Sequence, residues 1–101
     1  MNRNKRKELI EAYEKVRKAL PKMFEDYDAW GICAVTKTLR WQGEITQAQE
    51  LRVNSDVKSV IGFKSELYPY YFKPGAVEPR LKFIDKRIKE LNFWSWLRKR
   101  D

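Results

Sequence analysis

The sequence predicts an all-α fold, a compact four-helix domain with a rigid aromatic Pro/Gly loop ahead of its last helix. Three observations carry that expectation. Apolar residues recur at spacings of three and four near both ends of the chain, as Leu9, Ile10, Tyr13, Val16 and Leu20 and again as Leu81, Ile84, Ile88 and Leu91. Between them, Gly43 and the T-x-x-Q pattern at Thr46–Gln49 read as a helix stop followed by a helix start. Residues 66–80, ELYPYYFKPGAVEPR, hold three prolines and four aromatic rings and cannot be a helix interior. A chain of 101 residues is one domain, 1–101, able to bury roughly two-thirds of its unfolded surface.

The first helix is expected over residues 5–20, capped by Asn2 or Asn4 and supported by the Glu11–Lys15 and Glu14–Lys18 pairs. Pro21 is expected to end it, because the residue before a proline is pushed out of helical geometry. Residues 22–28 then connect, with Met23, Phe24 and Tyr27 tucked against the next element. Asp28 would cap a second helix over 29–41. The β-branched content of GICAVTKTL also allows a strand, but the length of the span and the glycine behind it favour helix. Ile32, Val35 and Leu39 share its buried face, flanked by Cys33 and Thr36; Trp30 and Trp41 are placed in the core or at its rim.

A third helix follows over 47–60, with Leu51, Val57, Val60 and Ile61 inward and a weak point at Asn54, Ser55 and Asp56, whose side chains compete for the backbone. The short turn before it resembles a helix-turn-helix arrangement. Its supposed recognition helix carries only Arg52 and Lys58 against Glu50 and Asp56, which argues against DNA reading by that helix. Gly62 ends it, and the aromatic loop leads to a last helix that tolerates Pro79 in its first turn and welcomes Glu78 there. Arg80, Lys82, Lys86, Arg87 and Lys89 cover the faces that the apolar stripe leaves. In the tail, Trp94 and Trp96 lie about 200° apart on a helix, so both cannot enter one core. Phe93, Trp94, Trp96 and Leu97 therefore form the candidate oligomer interface, preferred over a membrane-surface anchor.

Composition removes many functions. The chain has no histidine and one cysteine, Cys33, which excludes an internal disulfide, a zinc site within one chain and the usual histidine-based catalysis. No phosphate-loop or dinucleotide glycine pattern occurs. The carboxylates Glu25, Asp26 and Asp28 read as capping and solvation, so no enzyme, cofactor or metal is expected. No apolar run is long enough to span a membrane, and the basic start MNRNKRK lacks a signal-peptide core; a cytoplasmic location follows. Net charge is +8, held at the ends: residues 1–20 have seven Lys/Arg against three Asp/Glu, and 78–101 eight against four. Laid side by side, those ends would make one basic face attractive to phosphate.

The candidate ligand site is the loop: Tyr68, Tyr70, Tyr71 and Phe72 as stacking and hydrogen-bonding groups, with Lys73 and Arg80 as cations. The alternative is a hydrophobic lid whose phenol oxygens reach water. The segments YYFKPGAVEPRLKFIDKRIKEL and GICAVTKTLRWQGEIT also resemble a group of small tailed-phage and prophage proteins, in which an aromatic-x-P-G-x-x-x-P-R loop precedes a terminal helix. That resemblance covers residues 30–91 and carries no activity or binding residues. It implies a setting, since small non-enzymatic phage proteins frequently inhibit host immunity. The expected function is a non-catalytic phage accessory protein, a homo-oligomer that binds a nucleotide or other phosphate-bearing ligand and sequesters a host immune signal. Two alternatives stay open: a protein–protein inhibitor of a host defence nuclease, and a small DNA- or RNA-binding protein.

Overall fold

Asn2 starts the first helix. Its Oδ1 accepts the Lys5 amide at 2.8 Å and its carbonyl accepts the Arg6 amide at 3.0 Å, satisfying donors that a helix start leaves open. From there α1 runs Arg3–Asp26, straight through Pro21. The expected stop at Pro21 is thus overturned. A proline inside a helix forgoes one backbone hydrogen bond and costs about 3 kcal/mol in isolation. Here the turns on either side hold it, because Leu20 is fully buried and Met23 packs against the core.

The computed structural model describes residues 2–26, 32–61 and 77–100, the side chains of 24–26, 61 and 94–100 excepted. Among the described residues there are four helices and no strand: α1, then α2 (Ile32–Trp41), α3 (Gln47–Ile61) and α4 (Val77–Arg100). The second element is therefore helical, starting at Ile32 among the described residues, whereas the Asp28 cap and Trp30 lie outside them. The radius of gyration, 13.4 Å, matches the value of about 13 Å for a folded chain of about 100 residues.

Gly43 ends α2 as expected. With φ of 77° it takes the left-handed conformation; its amide reaches the Arg40 carbonyl at 3.0 Å and the Glu44 amide reaches Leu39 at 2.9 Å, the two bonds of a Schellman cap. Three residues later, Thr46 and Gln49 close a reciprocal capping box. The Thr46 amide donates to Gln49 Oε1 at 3.0 Å and the Gln49 amide to Thr46 Oγ1 at 3.1 Å. Gln49 is buried and also donates to the Glu8 carbonyl at 3.0 Å, tying the start of α3 to α1.

The core gathers on α1, which packs along α2, α3 and, over the greatest length, α4. Leu9, Tyr13, Val16 and Leu20 meet Ile32, Val35, Val53, Val57 and Ile84, all buried. Thr36, also buried, lies 3.0 Å from the Cys33 carbonyl and 3.1 Å from Asn54 Oδ1; Cys33 itself is half-buried beside the core. On α3 the inward stripe is Gln49, Val53 and Val57, continuing from Ile45, at spacings of four. Leu51, 60% exposed, does not face inward as expected, since two residues along a helix turn a side chain by about 200° from Val53; Val60, near the end of α3, is also 44% exposed, and the Ile61 side chain lies outside the described residues. Trp41, 70% exposed, sits at the rim with the Lys37 ammonium 5.1 Å from its ring centre.

The expected weak point in α3 is continuous helix. Its polar side chains are spent on other helices: Asn54 on Thr36, and Asp56 on α1 and α4. Asp56 accepts the Tyr13 hydroxyl at 2.6 Å and both Nε and Nη2 of Arg87 at 2.8 Å, while Arg87 Nη1 reaches Glu90 at 3.0 Å. That hydrogen bonding to Asp56, above all, raises the Arg87 pKa well beyond its ordinary value, so the guanidinium is always charged. Asp56→Ala should destabilise the fold by about 2–3 kcal/mol, because it leaves the half-buried Arg87 with Glu90 alone and the Tyr13 hydroxyl without this acceptor. Urea denaturation followed by circular dichroism measures this, and a change within 1 kcal/mol of wild type would contradict it.

Candidate functional site

The two helices that carry the basic ends of the chain, α1 and α4, pack against each other. Arg17 on α1 pairs through Nε with Asp85 on α4, and Tyr13 meets Phe83 edge to face with ring centres 6.5 Å apart. Both contacts join the middle turns of α1 to the first half of α4. Residues 3–26 hold eight Lys/Arg against five Asp/Glu, and residues 77–100 eight against three. The net charge of this pair equals that of the whole chain, +8.

How the charges are partnered matters more than the total. Every ion pair among the described residues uses arginine: Arg17 with Asp85, Arg40 with Glu50, and Arg87 with both Asp56 and Glu90. No lysine pairs with a carboxylate there, and Lys15 donates to a backbone carbonyl, that of Glu44. On α4 the consequence is direct. Asp85 and Glu90, which stand four residues from Lys89 and Lys86, are taken by Arg17 and Arg87. Lys82, Lys86 and Lys89 are exposed, and spacings of four and three put them on one ridge. Phe93, four residues further, continues that ridge and is 55% exposed.

The residues expected to bind ligand fall differently. Tyr68, Tyr70, Tyr71, Phe72 and Lys73 lie outside the described residues, as does the whole segment 62–76. Arg80 is in place at the first turns of α4, but it is only 2% exposed and does not cover an outer face. Of the expected oligomer interface, Phe93 is at the surface, and the side chains of Trp94, Trp96 and Leu97 lie outside the described set. The carboxylates Glu25, Asp26 and Asp28 lie outside it too.

A shallow groove along the outer side of α3 is lined by Ala48, Leu51, Arg52, Ser55, Asp56 and Ser59. Among the described residues no group of histidine, cysteine or acidic side chains is placed to hold a metal ion, and no helix is long and apolar enough to cross a membrane. Arg6 is buried near the start of α1, with its Nη1 unbonded among the described residues. No family model, curated protein or solved structure matches the chain.

The lysine ridge was visible in the sequence as spacing but not as a site. A lysine at every third or fourth position is the usual solvated face of a helix. What sets this one apart is the removal of its acids by arginines from other turns and another helix, and only the fold reveals that. Arg80→Ala should lower stability by about 2 kcal/mol or more, as expected for truncating a fully buried side chain, whereas Lys82→Ala should stay within about 0.5 kcal/mol of wild type. Chemical denaturation of the two variants decides whether Arg80 is interior; equal stabilities would place it outside.

Proposed function

We propose that the protein is a non-catalytic binder of a phosphate-bearing ligand, acting as a phage accessory protein that sequesters a nucleotide immune signal of its host. One observation carries the phosphate-binding part. Arg17, Arg40 and Arg87 are paired with carboxylates, whereas among the described residues no lysine of α1 or α4 is. A face with unneutralised ammonium groups concentrates anions and speeds their encounter. Lysine suits this use because it acts as a hydrated, mobile point charge, whereas the planar arginine fork is favoured for fixed bidentate pairs such as Arg87 with Asp56.

The loop residues Tyr68, Tyr70, Tyr71, Phe72 and Lys73 remain the proposed contacts to the ligand's base and phosphate. Arg80 is assigned a supporting place, anchoring the start of α4 from inside. The phage setting rests on the resemblance of residues 30–91, and the absence of histidine from the sequence supports binding without catalysis.

Thermal unfolding with a panel of cyclic oligonucleotides, ADP-ribose derivatives and short DNA or RNA tests the reading. A phosphate-bearing ligand at 100 times its Kd should stabilise the fold by about 2.7 kcal/mol, raising Tm by roughly 10 °C or more. The Tyr70→Ala, Tyr71→Ala double variant should lose that shift while keeping wild-type helicity. A panel that leaves Tm unchanged throughout sinks the proposal. A pull-down that recovers one host protein through high salt would favour the inhibitor reading in its place.

A further inference from the structure

The ridge on α4 has a layout that a compact nucleotide does not need. Lys82, Lys86 and Lys89 run in single file, about 10 Å from first to last at 1.5 Å per residue, and Phe93 stands about 6 Å beyond. All four side chains lie within one narrow sector of the helix and are exposed. We propose that this ridge binds single-stranded nucleic acid, the lysines following successive phosphates of one strand and the Phe93 ring stacking on a base. The proposal rests on the phosphate-binding reading and narrows the ligand to a linear strand.

Three features favour that occupant. First, the ridge opposes helix stability. Lys82 with Lys86 is a like-charged i,i+4 pair and Lys86 with Lys89 an i,i+3 pair, an arrangement that weakens a helix. A merely solubilising face would interleave glutamates. Of the acids close enough to relieve it, Asp85 and Glu90 are held by Arg17 and Arg87, and Glu78, one turn ahead of Lys82, makes no ion pair with it. The local rule is broken with no compensating contact among the described residues, as happens at binding sites.

Second, the file is one strand wide. Exposed Glu11 and Glu14 stand on the outer face of the neighbouring α1, and Glu78 is exposed at the head of α4. A duplex groove would bring a second row of phosphates toward those carboxylates, whereas one strand can follow the lysines from Lys82 onward and stop short of Glu78, which stands one turn ahead of Lys82 on the same side of α4. Nor does the ridge carry arginine, asparagine or glutamine, the side chains that read base edges in a major groove. Third, an exposed aromatic in line with a cation track is the pairing by which single strands are held without sequence preference, through backbone charge and base stacking together.

The test is fluorescence anisotropy with a labelled thymidine oligomer of about twelve nucleotides, titrated at several salt concentrations, with a duplex of equal length and a cyclic dinucleotide as competitors. Two triple variants of equal charge are compared: Lys82→Gln, Lys86→Gln, Lys89→Gln on the ridge, and Lys22→Gln, Lys37→Gln, Lys58→Gln on α1, α2 and α3. All six lysines are exposed, so both variants should keep the wild-type circular dichroism spectrum and Tm. The ridge variant should lose affinity and show a salt slope shallower by about 2, from about 0.7 per phosphate contact on a single strand. The control variant should keep the wild-type slope. Phe93→Ala should weaken binding about tenfold with the slope unchanged.

Equal losses in the two triple variants would overturn the site, and a duplex that competes as well as the strand would overturn the ligand. Binding of the cyclic dinucleotide alone, indifferent to the ridge variant, would leave the phosphate-binding reading standing and remove this one. Binding of no phosphate-bearing probe would remove both.

Discussion

The Asp56 carboxylate is the point on which the arrangement of three helices depends. It is a charged group, 8% exposed, in the middle of α3, and it is satisfied only because Tyr13 arrives from α1 and Arg87 from α4. Burial of that charge without those donors would cost several kcal/mol; with them, all three helices are held at one register. An apolar contact tolerates sliding by a fraction of a turn. A bidentate arginine pair does not, because its two nitrogens must meet two oxygens in one plane. Asp56 therefore orients α4 about its own axis as well as attaching it, and so decides which residues of α4 turn to water.

That orientation produces the separation of arginine from lysine. Arg87 faces inward to Asp56 and reaches sideways to Glu90; Asp85, two residues earlier, faces α1 and meets Arg17. The hydrogen bond that Arg17 donates to Asp85 raises the pKa of Arg17, although this exposed pair is of the kind that adds little to stability. Its effect lies elsewhere. By occupying Asp85 and Glu90, the two arginines leave Lys82, Lys86 and Lys89 without a carboxylate partner among the described residues. A row of unpaired lysines thus arises from interior pairing as well as from the excess of cations on α4.

Local signals were legible in the sequence and tertiary ones were not. Gly43, the Thr46–Gln49 box and the 81–84–88–91 stripe act within a few residues of backbone, and each appears where expected. Pro21 was misleading because its local penalty is offset by Leu20 and Met23 packing on distant helices. Leu51 and Val60 count as apolar in any periodicity, yet the buried stripe of α3 is set by Gln49, a polar residue whose burial is earned by a bond to Glu8. Arg80 and Arg87 look alike in sequence as cations on an amphipathic helix, and both belong to the interior side. The ridge was equally hidden, since the sequence displays Asp85 and Glu90 at the right spacing to neutralise it and gives no sign that other residues claim them.

A helix that carries like charges in file needs support from elsewhere, and α4 has it. It packs along α1 over most of its length, is joined to α3 through Asp56 and buries Phe83, Ile84 and Leu91. Repulsion between Lys82, Lys86 and Lys89 amounts to a few tenths of a kcal/mol for each pair, far less than those anchors supply. The same charges on α2 or α3, which are shorter, would act on helices with fewer turns packed against α1. The opposition is also one that a polyanion relieves on binding, because each phosphate neutralises an ammonium already held in place by a rigid backbone and little ordering of the helix is left to oppose it. The well-anchored helix is thus the one able to hold an unrelieved row of charge, and the anchoring that makes the row tolerable is the anchoring that presents it.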